Sequence, residues 1–179
     1  MKQEIIIAGF GGQGVLSMGK ILAYSGLMDD KEVTWMPSYG PEQRGGTANV
    51  TVILSDERIT PPVLDKYDIV IALNQQSLDK FAPKVKPGGN LIYDTNGIHN
   101  RPQRDDITIY PIDAMEATLE IGNSKAYNMV VMGALLEAMS YKLPMENVIK
   151  GLKKSLPERH HKLIPLNEKA IEKGRELLL

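Results

Sequence analysis

The chain contains no cysteine. It therefore has no disulfide, no thiolate nucleophile, no thiolate zinc site, and no way of holding a cysteine-ligated iron–sulfur cluster by itself. Histidine is scarce, with three residues: His99, His160 and His161. Adjacent His160 and His161 point in different directions on any regular element. Capping, packing or an interface hydrogen bond is therefore their expected use, and no metal ligands are assigned. No apolar run approaches the roughly 20 residues needed to span a bilayer, and no signal-peptide pattern precedes the first apolar segment. A cytoplasmic location with no membrane partner is expected. Charge of one sign is also lacking. The net charge of −1 provides no basic field to attract nucleic acid. Of the few aromatic residues, the single tryptophan, Trp35, is expected to anchor the core.

The 179 residues, 42% of them hydrophobic, suit one compact domain over 1–179 with a core of its own. Hydrophobic periodicity predicts strands at 3–8, 32–35, 48–54, 68–73, 90–93 and 107–110. It predicts helices at 14–27, 78–81, a segment capped by Asp113 and ending near Glu120, 128–141, Pro144 to Leu152, and 165–178. Met36 to Gly46 reads as a loop, and Pro87-Gly88-Gly89 as punctuation between elements. Strands alternating with helices imply a parallel sheet in a three-layer α/β arrangement.

The densest information lies at the start of the chain. The apolar run ending at Ala8 leads into Gly9-Phe10-Gly11-Gly12-Gln13-Gly14 and then into a helical pattern. A strand, a G-x-G-x-x-G loop and a helix make an anion-sized niche at a helix N-terminus. A dinucleotide site also needs an acidic residue ending the second strand, about 20 residues on. Here Asp29 and Asp30 precede that strand, which exits into Met36-Pro37-Ser38-Tyr39 without a carboxylate. The fingerprint is thus incomplete for NAD. A tight turn that simply packs helix against strand is the competing reading.

A second unusual segment is Ser38-Tyr39-Gly40-Pro41-Glu42-Gln43-Arg44-Gly45-Gly46-Thr47-Ala48-Asn49. In a parallel topology it leaves the same sheet edge as the first loop, where ligands and partners of open α/β sheets bind. Arg44 can present its guanidinium to a carboxylate or phosphate, or it can pair internally with Glu42. Elsewhere, Glu116 and Glu120 on one helix face, and Lys150, Lys153 and Lys154 on another, read as solvated surface. Most of the methionines read as core or interface. The last helix carries an apolar stripe that either covers this domain's own sheet or meets a neighbour.

Taken in order, these two loops resemble the gamma subunit of the 2-oxoacid:ferredoxin oxidoreductases, closest to the 2-oxoglutarate branch. Asn74-Gln75-Gln76-Ser77-Leu78, Asn128-Met129-Val130 and His160-His161-Lys162-Leu163-Ile164-Pro165-Leu166-Asn167 also fit that family. The resemblance implies one α/β domain, α/β/α in layers, with a mainly parallel, Rossmann-like sheet. It implies a complex that decarboxylates a 2-oxoacid on thiamine diphosphate with Mg2+, passes electrons through Fe-S clusters to ferredoxin, and delivers the acyl group to coenzyme A. The implied partners are thiamine-binding alpha and beta subunits and a ferredoxin-like delta subunit or cluster-bearing domain.

On this reading the chain has no catalytic residue and binds no cofactor alone. The thiamine pattern of Gly-Asp-Gly followed by Asn is absent, consistent with that role. Gly9, Gly11, Gly12, Gln13 and Gly14 form the candidate coenzyme A-side loop. Ser38, Tyr39, Gly40, Pro41, Glu42, Arg44, Gly45 and Gly46 form the candidate interface or substrate-side loop. Pyruvate, 2-oxoisovalerate and indolepyruvate are alternative substrates. A free-standing Rossmann-type nucleotide enzyme and a pure partner-binding domain are the readings from other classes.

Overall fold

The structure, a computed structural model, describes residues 1–39, 46–60 and 63–179; for Tyr39 it describes the backbone alone. The strands are β1 (Lys2–Phe10), β2 (Glu32–Tyr39), β3 (Thr47–Ser55), β4 (Tyr67–Ala72), β5 (Val85–Asp94) and β6 (Thr108–Ile112). The helices are α1 (Val15–Met28), α2 (Gln75–Phe81), α3 (Ala114–Ile121), α4 (Tyr127–Ala138), α5 (Met145–Ser155) and α6 (Ile164–Glu176). The six strands form one sheet in the order β2-β3-β1-β4-β5-β6. β1, β4, β5 and β6 run parallel, and β3 is antiparallel to both of its neighbours.

Period-2 alternation within buried strands divides the core between the two sheet faces. Ile5, Ile7, Ile69, Ile71 and Ile92 face a large layer built from α1, α3, α4, α5 and α6. Ile6, Ala8, Val70, Ala72, Leu91 and Tyr93 face Leu78 and Phe81 of the short helix α2. The three-layer expectation therefore holds, with one thick helical layer and one thin one. α4 is apolar on every side because it lies inside the thick layer: each residue from Met129 to Leu136 is buried. α6 packs over it, so the apolar stripe of the last helix covers its own domain through Ala170, Ile171 and Gly174.

Three local expectations need correcting. β2 does not stop at Trp35 but continues to Tyr39, paired with β3 along its whole length. Pro37 is tolerated there because β2 is an edge strand, where a missing N–H interrupts no second ladder. The same edge position leaves Trp35 40% exposed, so it is not a core anchor. Pro87-Gly88-Gly89 lies inside β5, where the register with β4 jumps between Tyr67 and Ile69. The apparent punctuation is a bulge, with Gly88 at φ 79°.

At the N-terminal edge of the sheet, Glu4 is buried and takes Lys2 at 2.7 Å together with Lys86, which also reaches Asp68 at 3.0 Å. Burial opposes ionisation of Glu4, and the hydrogen bonds from Lys2 and Lys86 outweigh it, holding the carboxyl below its ordinary range. Asp29, which a dinucleotide reading needs at the end of β2, instead sits at the C-terminus of α1. It accepts hydrogen bonds there from Tyr141 and from Asn147 Nδ2, the latter at 2.9 Å. Among the described residues, β2 thus ends without a carboxylate for a ribose.

Candidate functional site

The glycine loop is held by its own glutamine. The backbone N–H of Phe10 donates to Gln13 Oε1 at 2.7 Å, and Gln13 Nε2 donates to the Leu73 carbonyl at 3.1 Å. One side-chain amide therefore closes the loop and ties it to the end of β4. Gly9 is buried beneath this clamp, and a Cβ there meets Gln13 Oε1 at 2.5 Å and Leu73 Cβ at 3.0 Å. Gly14 caps α1 at φ 77°, a left-handed conformation that glycine adopts without strain, and no side chain caps the helix. Its α-carbon lies against Asn128 of α4, since an added Cβ meets Asn128 Cβ and Nδ2 at 2.7 Å.

These contacts divide the loop. Gly9, Gln13 and Gly14 build it, while Gly11 and Gly12 are exposed. Gly12 has φ 95°, and no described atom lies within 4 Å of where its Cβ would be. Gly11 N–H donates to the Gly46 carbonyl at 2.9 Å, and Phe10 is paired with Thr47. The first loop and the end of the second segment are therefore adjacent at the C-terminal ends of β1 and β2. Ser38 lies in β2 at this end. Gly40, Pro41, Glu42, Gln43, Arg44 and Gly45 lie outside the described residues.

Two further polar groups stand at the same edge. Asn74 follows β4 and caps α2, its Oδ1 accepting from Ser77 N–H at 2.8 Å, while its buried Nδ2 has no partner among the described residues. Asp94 ends β5 and is buried, accepting from Tyr127 OH at 2.6 Å and from Asn96 N–H at 3.1 Å. Burial pushes the Asp94 carboxyl above its ordinary value, and the Tyr127 hydrogen bond pulls against that shift. Between the ordinary carboxylate pKa and this raised one, the folded protein keeps a proton that the unfolded chain has released. Stability therefore falls as pH rises through that window. Tyr127→Phe should widen the window and cost about 1–3 kcal/mol at neutral pH, because it leaves a buried carboxylate without its donor. Asp94→Asn should flatten this part of the profile. Urea midpoints across pH 3–8 measure both; parallel curves for all three proteins would refute the coupling.

Asn128 also borders a cleft of about 290 Å³, enclosed by α1, the start of α4, the end of α5, the 3-10 turn Glu158–Leu163 and α6. His160 lines it. His161 instead places Nε2 at 3.0 Å from the Lys153 carbonyl and 2.9 Å from that of Leu156, a packing and capping role as expected. Sequence reasoning grouped neither His160 nor Asn128 with the glycine loop. The available signal was that all three lie in the segments carrying the family resemblance. No cluster of three or more metal-ligating side chains occurs among the described residues. Glu120 pairs with Lys173 at 2.5 Å, which uses it as a surface ion-pair partner. No helix among the described residues is long and apolar enough to cross a membrane.

Comparison with known proteins places this arrangement. The ketoisovalerate oxidoreductase subunit VorA of Methanothermobacter marburgensis is 36% identical over 173 residues, covering 97% of this chain and 36% of that one. The chain thus spans little more than a third of the length of that relative. The 2-oxoglutarate synthase subunit KorC of Methanocaldococcus jannaschii is 36% identical over 161 residues, 88% of this chain and 86% of that one. Among solved structures, the keto/oxoacid ferredoxin oxidoreductase gamma subunit from Geobacter sulfurreducens superposes with a TM-score of 0.83 at 29% identity, covering 99% of this chain and 97% of that one. The 2-oxoglutarate:ferredoxin oxidoreductase from Magnetococcus marinus, solved with 2-oxoglutarate, coenzyme A and succinyl-CoA bound, gives 0.86 at 26% identity, covering 98% of this chain and 31% of that one. The family model for pyruvate ferredoxin/flavodoxin oxidoreductase matches residues 4–177, nearly the full length of the chain, and the chain belongs to that family.

Proposed function

We propose that this chain is the gamma component of a 2-oxoacid:ferredoxin oxidoreductase, acting on 2-oxoglutarate. The reaction joins a 2-oxoacid and coenzyme A into acyl-CoA, releases CO2 and passes two electrons to ferredoxin. The observation that carries this reading is the end-to-end likeness to a solved gamma subunit. The preference for 2-oxoglutarate rests on KorC, which the match spans nearly in full. Ketoisovalerate is the second reading, because VorA is equally identical over the matched stretch.

Thiamine diphosphate with Mg2+ and the Fe-S clusters fit poorly on this chain: it has no cysteine to supply a thiolate, and no acidic metal-binding cluster occurs among the described residues. Alpha and beta components and a ferredoxin-like delta component would supply them, on separate chains or on one longer polypeptide. The chain's own contribution is a wall. Gly11 and Gly12 present exposed backbone beside Gly46 and are assigned to the coenzyme A approach or the thiamine-binding partners, and the sequence segment from Ser38 to Gly46 is assigned the same role on the family resemblance alone.

The test is a tagged pull-down with visible spectroscopy. Thiamine- and cluster-bearing chains should come down with wild type, and the recovered complex should reduce a viologen dye with 2-oxoglutarate and coenzyme A. The isolated chain should be colourless and inert. Arg44→Ala should keep the melting temperature of the chain and lose complex recovery or the coenzyme A-dependent step, about 1.5–3 kcal/mol of a charge-assisted contact. Recovery of no cofactor-bearing partner, together with micromolar binding of NAD, would replace this reading by the free-standing nucleotide enzyme.

A further inference from the structure

The sheet ends at β2, which pairs with β3 on one side and with no strand on the other among the described residues. Edge strands usually carry charge that discourages further pairing, yet the centre of this one, Val33-Thr34-Trp35-Met36, has none. Trp35 is 40% exposed on one sheet face and Met36 37% exposed on the other. α1 lies over the Trp35 side and runs antiparallel to β2. A Cβ on Gly26 meets Leu54 and Val33, which pair with each other, while one on Gly19 meets Val50, the partner of Pro37. Ala23, Tyr24 and Leu27 of α1, with Val33 and Trp35 of β2, line a groove of about 270 Å³. Leu27 is half exposed there. Lys20 lines the groove toward its Pro37 end. The opposite end carries the exposed carboxylates of Asp30 and Glu32, and Lys31 between them is engaged by Asp56 at 2.7 Å. Lys20, Asp30 and Glu32 make no ion pair among the described residues.

We propose that this edge receives a second copy of the chain, β2 pairing antiparallel with β2 about a two-fold axis near Trp35. Charge selects both the occupant and its direction. The groove is positive at one end and negative at the other, so it is complementary to itself when turned end for end. Antiparallel pairing brings Lys20 of each copy to the Asp30 and Glu32 end of the other, whereas parallel pairing would set like ends side by side. A two-fold axis perpendicular to the sheet keeps both α1 helices on one face, with the two Trp35 side chains meeting between them. The unpaired backbone of β2 gains a ladder, and Leu27, Trp35 and Met36 leave water. Pro37 lies off the axis, so the pairing loses only the bonds that its missing N–H cannot donate. This inference goes beyond the subunit reading and does not depend on which substrate the complex takes.

The experiment is sedimentation velocity of the full chain from about 1 to 200 μM, with tryptophan emission followed over the same dilution series. Trp35 is the single tryptophan, so its emission reports this edge alone. Wild type should pass from dimer to monomer within that range, and the emission should shift to the red as it does. Trp35→Lys sets a cation opposite its own symmetry copy and should raise the dimer Kd at least about tenfold. Lys20→Glu should raise it about three- to tenfold, since the reversed charge acts twice across the axis. Adding Glu32→Lys to Lys20→Glu should recover most of that loss. Lys20 and Glu32 are exposed, so these two variants keep the fold and decide the matter even if Trp35→Lys disturbs it; far-UV circular dichroism checks each. A chain that stays monomeric throughout, or a dimer whose Kd is the same in Lys20→Glu as in wild type, overturns the proposal. So does a monomer whose Trp35 emission shifts to the blue only on joining cofactor-bearing chains, which would give the edge to a strand of another protein.

Discussion

Replacing Gly133 or Gly174 by alanine is expected to destabilise the fold by about 3 kcal/mol, the upper end of overpacking costs. At this chain length that is a fall in melting temperature of roughly 6–12 °C. Both glycines sit inside helices, where an exposed glycine-to-alanine change stabilises by up to about 1 kcal/mol. The expected sign is therefore opposite to helix propensity. The reason is the crossing of α4 and α6. A Cβ on Gly133 runs into the carbonyl oxygen of Ile171, and one on Gly174 into that of Val130. Each glycine also lies against the α-carbon of the other, so backbone meets backbone and no side-chain rotation can relieve the clash. α4 lies between α6 and the sheet and is buried along its length, so the helices cannot part without opening the thick layer. Thermal and urea unfolding of both single variants measures the effect. A loss under about 1 kcal/mol in each would mean that the crossing is looser than the structure has it.

The second large effect is expected at Gly14. Gly14→Ala should cost about 2–4 kcal/mol, and Gly12→Ala only about 1–2 kcal/mol. Both residues have positive φ, so alanine pays the left-handed penalty at each. Only at Gly14 does the new methyl also meet Asn128, which then has to move away from the N-terminus of α1. The difference between the two variants isolates that contact. Gly14→Ala should also impair assembly and turnover of the complex, because Asn128 borders the cleft and Gly14 shapes the exposed turn. Equal stabilities for the two variants would show that Asn128 yields at no cost, and the coupling between loop and cleft would fall with it.

Much of the architecture is legible in the residues. The apolar runs around Ile5 to Ile7, Ile69 to Ile71 and Leu91 to Ile92 are long enough and bounded sharply enough to be buried strands. Asp113 caps α3 as its position suggests, with Oδ1 accepting from Glu116 N–H at 2.9 Å. The glycine loop announces its own geometry, because only glycine occupies left-handed turns freely, and the adjoining pattern of Val15, Met18 and Leu22 buries one face of α1. Absences are equally plain. A chain without cysteine supplies no cluster thiolate, whatever its fold.

Other features depend on partners distant in sequence. Alternation marks 47–55 as a strand but does not give its direction. β3 is antiparallel because it returns directly from β2 as a hairpin and inserts beside β1. Trp35 carries the composition of a core residue and the exposure of an edge residue, since strand order decides whether a flank is covered. The Pro87-Gly88-Gly89 stretch looks like a break, and the β4 register makes it a bulge within a strand. The glycines at 133 and 174 look incidental until two helices cross there. Lys125, Asn128, His160 and Asn167 come together only when α1, α4, α5 and α6 pack around one cleft. Local pattern determines which segments become strands, helices and turns, because propensity and periodicity act over a few residues. Strand order, helix crossing and the cleft were decided by tertiary packing, because each rests on contacts between residues tens of positions apart.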